Sequence, residues 1–153
     1  MEKKNKTLNY EDKALAFFTF LWGVIYIVIG SLQVLKGTGL LPYDLISTNL
    51  LPPEIADGLV LALVGAVYLY GTVEFSKSFS EGKAYAYVGI VLSLLFGALY
   101  LLTFVADIIN AQVLEADGFE EWTPLAGIKP ALYLGLISLA VYTGWENAFK
   151  LHD

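Results

Sequence analysis

The sequence predicts an all-α integral membrane protein: a bundle of four transmembrane helices arranged as two tandem hairpins of the same orientation. Three observations predict it. Of the 153 residues, 57% are hydrophobic and the mean hydropathy is +0.63, more apolar surface than water usually tolerates. The apolar residues are gathered into four runs, Ala14–Leu35, Gly58–Val73, Ala84–Ala106 and Pro130–Trp145. These runs lack the alternation of barrel strands, and in lipid only helices or closed barrels satisfy the backbone.

The elements follow in chain order as one membrane domain over 1–153: a cytoplasmic N-terminal segment 1–13, spans at 14–36, 57–75, 84–107 and 127–147, and a tail 148–153. At 1.5 Å per residue the first and third runs reach roughly 33 to 35 Å, enough to cross a hydrocarbon core of about 30 Å. The first run is too long for a signal-peptide core and no small-residue cleavage site follows Leu35, so it reads as a span. The second and fourth reach only about 24 Å, so they must stand upright or recruit flanking residues such as Trp145. Pro130 sits near the start of the fourth helix, where a missing N–H costs little.

Charge sets the orientation. Lys3, Lys4, Lys6, Lys13, Lys77, Lys83 and Lys150 fall on the side that bears the termini, against Lys36 and Lys129 on the other. The positive-inside rule then places both termini in the cytoplasm of a cell bounded by this plasma membrane. The opposite side is acidic, with Asp44, Glu54, Asp57, Asp107, Glu115, Asp117, Glu120 and Glu121, and reads first as a solvated face. Within it Glu115-x-Asp117-Gly118-x-Glu120-Glu121 has the oxygen ligands a hard cation prefers but not the spacing of a calcium loop, so no metal site is expected. Apolar residues between Leu40 and Leu51 suggest a short element lying on the membrane surface, and Phe119 and Trp122 suggest aromatic anchoring.

The halves resemble each other. Trp22-Gly23-Val24-Ile25-Tyr26 parallels Phe96-Gly97-Ala98-Leu99-Tyr100, and Tyr70-Gly71-Thr72-Val73-Glu74 parallels Tyr142-Thr143-Gly144-Trp145-Glu146. The same offsets set Gln33 on Asp107 and Asp57 on Lys129. Two spans per repeat preserve orientation, which implies a symmetry axis along the membrane normal. Small residues recur every fourth position at Gly58, Ala62 and Ala66, at Gly89, Ser93 and Gly97, and at Gly127, Ala131 and Gly135. Such strips are packing surfaces, because lipid supplies no hydrophobic drive for helices to associate.

Catalytic chemistry finds no support. There is no cysteine or arginine, and the single His152 stands alone in the tail, so thiolate sites, paired-histidine haem and histidine triads are all unsupported. No phosphate loop or dinucleotide glycine pattern appears, no cofactor or catalytic residue is assigned, and the lack of arginine argues against nucleic-acid binding. The expectation is a non-enzymatic accessory or scaffolding subunit whose partners are lipids and either copies of itself or a larger membrane complex. The competing expectation is binding or transport of a small solute or cation along polar residues at the membrane edges: Gln33, Asp57, Glu74, Asp107, Lys129 and Glu146. In it Glu74 and Glu146 meet near a common axis, while pairing of Asp57 with Lys129 across that axis reads as structural rather than transport-related.

Overall fold

A computed structural model describes residues 10–42, 44, 46 and 50–149; the side chains of Glu11, Asp12 and 146–149 lie outside that description. The described residues form four α-helices, α1 (Tyr10–Gly37), α2 (Ile55–Lys77), α3 (Phe79–Gln112) and α4 (Pro130–Phe149), with a 3₁₀ turn at Pro124–Gly127. Among the described residues there is no strand. Three helices are long and apolar enough to cross a membrane, and the apolar part of α4 spans Pro130–Trp145.

The helices run past the apolar segments that define them in the sequence, because a helix stops where its hydrogen bonding stops and not where the lipid does. α3 is 34 residues long, roughly 50 Å, so it carries Glu81 and Lys83 at one end and Asp107 near the other beyond a hydrocarbon core of about 30 Å. α2 and α3 are joined by Ser78 alone; its extended backbone ends one helix and starts the next, with the Ser78 N–H donating to Glu74 O at 2.8 Å. α1 closes in a Schellman motif, Gly39 N–H to Lys36 O and Leu40 N–H to Leu35 O, with Gly39 taking the positive φ of 76° that the motif requires.

The fourth helix starts later than the 127–147 segment read from hydropathy. Gly127 lies in the 3₁₀ turn and Ile128 is extended, and the helix begins at Pro130, whose missing N–H costs nothing in the first turn. Near its other end α4 bends at Trp145 (φ −114°, ψ 16°), whose ring packs 5.7 Å from that of Phe18.

Consecutive helices are antiparallel, so residue 10, the Ser78 turn and residue 149 share one end of the bundle and the two long connections share the other. α1 and α2 approach most intimately. Glycines every seventh residue, Gly23, Gly30 and Gly37 on α1 and Gly58 and Gly65 on α2, return to one helix face with only about 20° of drift. A Cβ at Gly30 would lie 2.5 Å from the Gly58 carbonyl oxygen, and one at Gly65 2.8 Å from the Ile27 nitrogen, so the two backbones touch. α3 meets α2 where Gly82 receives Phe75 and Gly89 receives Tyr68, and meets α4 where Gly97 faces Gly135. Trp22, Tyr26, Leu61, Val64, Tyr68, Ile90, Ala131 and Leu134 form the core, drawn from all four helices.

Candidate functional site

Polar groups are found in three places. In the interior, Trp22 Nε1 donates to Ser138 Oγ at 3.0 Å, bridging α1 to α4 across 116 residues of sequence. Ser138 in turn donates to Leu134 O, and Ser93 to Gly89 O, each the carbonyl four residues back. With the Ser93 proton so used, the 3.1 Å bond between Tyr68 and Ser93 has the phenol as donor. Helical serines can afford burial because this back-bond satisfies their hydroxyl inside the helix. Tyr26 completes the group from α1; it is buried beside Ser93 and Ser138, yet its hydroxyl has no hydrogen-bond partner among the described residues. The cluster is a packed core of phenol, indole and hydroxyl groups, contributed by every helix.

The end bearing the long connections carries two arrangements. Lys36 is 1% exposed, and its ammonium donates to Ile46 O at 2.8 Å and Leu51 O at 3.0 Å, drawing the α1–α2 connection over the helix ends. Gln33, one turn earlier, is also buried; its amide donates to Pro52 O at 3.4 Å and its Oε1 has no partner among the described residues. On the far side of α2, Lys129 Nζ lies 2.7 Å from Glu54 Oε2 and 3.4 Å from Asp57 Oδ2. The same ammonium sits 5.4 Å over the Tyr100 ring, whose hydroxyl faces Asp57. Burial raises the Glu54 carboxyl above its ordinary value, and the neighbouring Asp57 carboxylate adds to the rise while Lys129 opposes it. A lysine shared by two carboxylates leaves this cluster with one net negative charge.

The remaining edge residues disperse. Glu74 lies at the opposite end, buried, and pairs with the exposed Lys77 at 2.8 Å one turn away; the Glu146 side chain lies outside the described residues. Asp107 is half-buried far along α3, beyond the Lys129 cluster. Thus Asp57 and Lys129 are brought together with Glu54, whereas Gln33, Asp107 and Glu74 occupy separate places. In the second long connection Glu120 accepts the Gly118 N–H at 3.1 Å, and bonds to backbone N–H groups hold its carboxyl below its usual range. Trp122 packs on Phe104, and among the described residues no three acidic or imidazole groups come together as metal ligands.

The small residues sort by what they face. Gly58 and Ala62 meet Gly30, but Ala66 is exposed and Gly65 takes its place against α1. Gly89, Ser93 and Gly97 are buried as one strip on α3, and Ala131 and Gly135 pack on it, whereas Gly127 lies off the helix against Phe104 and Trp122. Gly30, Gly37 and Gly65 escape a search for small residues every fourth position because α1 uses sevens, and Lys36 counted in the sequence only toward orientation. A lysine at a helix end followed by a Pro-rich connection full of carbonyls was the available signal.

Grooves of the described surface include three along the helices. One of about 320 Å³ between α3 and α4 is walled by leucines, including Leu94, Leu101, Leu132 and Leu136, above the point where Gly97 meets Gly135. One of about 270 Å³ between α2 and α3 is lined by Val60, Phe96, Leu99, Tyr100 and Thr103. The third, about 350 Å³, follows α4 from Ile137 to Trp145. None of these three is lined by Gln33, Glu74 or Asp107.

A family model described as the MJ0565 integral membrane domain matches residues 9–147. No curated protein matches the chain, and no solved structure does.

Proposed function

Since the chain belongs to the MJ0565 integral membrane domain family, we propose that it works by helix association within the bilayer, as a non-enzymatic accessory or scaffolding subunit. The observation that carries this is the α3–α4 groove. Its floor is two glycines in contact and its rim is leucine, with Leu136 and Leu139 turned outward, so one ridge of a partner's transmembrane helix fits it. Solute passage has less support, because the interior hydroxyls are packed against one another and Gln33, Glu74 and Asp107 stand apart.

Within this reading the termini and the Ser78 turn face the cytoplasm of a plasma-membrane protein, as the lysine asymmetry favours. We also propose that the two hairpins arose by duplication. Thr19 and Ser93, matched by the offset that pairs Trp22 with Phe96, are both buried and both donate to the carbonyl four residues back. The contact registers have since diverged: Gly23 meets α2 at Leu69, whereas the matched Gly97 meets α4 at Ala131 and Gly135.

The test is extraction in mild detergent followed by native mass spectrometry, comparing the parent with Ala98→Trp and Leu136→Trp, which fill the groove from its exposed rim. A defined complex or homo-oligomer, weakened in both variants, is the expected result. A monomer in every case, or an assembly indifferent to both tryptophans, overturns the reading.

A further inference from the structure

We propose that the α2–α3 groove holds one chain of a membrane lipid whose headgroup carries both an ammonium and a phosphate, and that Glu54, Asp57 and Lys129 receive that headgroup. The groove and the charged cluster are one continuous feature. Asp57 lies three residues before Val60, on the same face of α2, and Tyr100 both lines the groove and carries Lys129 over its ring. Val60, Phe96 and Leu99 form an apolar trough, and Thr103 adds no free donor to it because its hydroxyl is already bonded to Leu99 O. At about 270 Å³ the trough fits a stretch of hydrocarbon chain but not a helix some 10–12 Å across.

The headgroup chemistry comes from the charges. An ammonium has three donors, and Lys129 directs two of them to Glu54 and Asp57, leaving one for a phosphate oxygen. Glu54 keeps 38% of its side chain exposed, so its second oxygen and free lone pairs are open to a primary ammonium from the headgroup. With two carboxylates against one lysine, an anionic headgroup lacking an amine meets net repulsion, and a quaternary ammonium has no N–H to donate. The site therefore ranks a primary-amine zwitterion above both. Its place at the outer ends of α2 and α4 puts these charges near the headgroup layer, where such a molecule is available at high local concentration.

The experiment is competition in mixed micelles containing equal amounts of dioleoyl phosphatidylethanolamine, phosphatidylcholine and phosphatidylglycerol, with bound lipid counted by native mass spectrometry of the whole chain. The expected result is retention of phosphatidylethanolamine about tenfold over the other two, equivalent to one charge-assisted contact. Glu54→Gln should abolish that preference while leaving far-UV circular dichroism unchanged. Val60→Trp should lower occupancy by all three lipids. A preference for phosphatidylglycerol, or a lipid distribution identical in parent and Glu54→Gln, overturns the proposal. So does finding that Val60→Trp dissociates a protein oligomer and leaves bound lipid unaltered, which would assign the groove to a second copy of the chain.

Discussion

Replacing Gly30 by alanine tests the central claim about how α1 and α2 are held together. The added methyl would lie 2.5 Å from the Gly58 carbonyl oxygen and 2.7 Å from the Ala62 nitrogen, both backbone atoms that no rotamer change can move. Ordinary contact begins near 3.4 Å, so the helices must part locally by about 0.9 Å (3.4 − 2.5). A gap of that size forfeits roughly a quarter to a half of each dispersion contact it opens, and forced overpacking typically costs about 1–3 kcal/mol. Alanine's better helix propensity returns up to about 1 kcal/mol. The matched control is Gly144→Ala on α4, where a Cβ meets nothing within 4 Å and only the propensity gain remains. The propensity gain is common to both, so the two variants should differ by the overpacking cost, about 1–3 kcal/mol, a factor of roughly 5 to 150 in the unfolding equilibrium. Reversible unfolding by sodium dodecyl sulfate in mixed micelles, followed by tryptophan fluorescence, measures the difference. If Gly30→Ala is as stable as the parent and as Gly144→Ala, the α1–α2 backbone contact is not what holds this hairpin.

Two further predictions separate neighbouring groups that composition treats alike. Lys36→Met leaves the carbonyls of Ile46 and Leu51 without their charged donor, a loss of about 1.5–3 kcal/mol confined to the connection; faster hydrogen exchange and protease cleavage between residues 38 and 54 should follow, and unchanged protection would contradict the latch. Tyr26→Phe removes a buried hydroxyl that has no hydrogen-bond partner among the described residues and should be neutral or stabilising by up to about 1 kcal/mol, whereas Tyr68→Phe breaks the bond to Ser93 and should cost about 0.5–1.5 kcal/mol. Thermal unfolding of the two variants decides it, and the reverse order would sink the assignment of the interior cluster.

The membrane, the helices and their order were legible because they depend on local quantities. Run length against the thickness of the bilayer, and the need of a lipid-immersed backbone to bond within itself, act on each segment separately. Where structure and sequence reading part, a local rule yields to a contact made elsewhere. Gly127 looked like the first member of a helical strip until Pro130 and the 3₁₀ turn set the helix start beyond it. Ala66 had the spacing of a packing residue, but the face of α2 that meets α1 advances by sevens and selects Gly65. Asp57 and Lys129 stood out as opposite charges at matched ends, yet nothing in the sequence marked Glu54 as the nearer partner.

By itself the sequence determined that this chain lives in lipid as a set of apolar helices, because solvent preference is a property of each residue and sums along the run. The tertiary structure alone decided which polar groups are buried and which face outward. That outcome turns on helix rotation and register, which a few glycines fix by setting how closely two backbones can approach. Hence Lys36, polar by every sequence measure, is 1% exposed, while Leu95, Leu99 and Leu102 of α3 and Leu136 and Leu139 of α4 face outward: in a bilayer the apolar surface has no need to hide, and buried polar groups take the interior where they find partners.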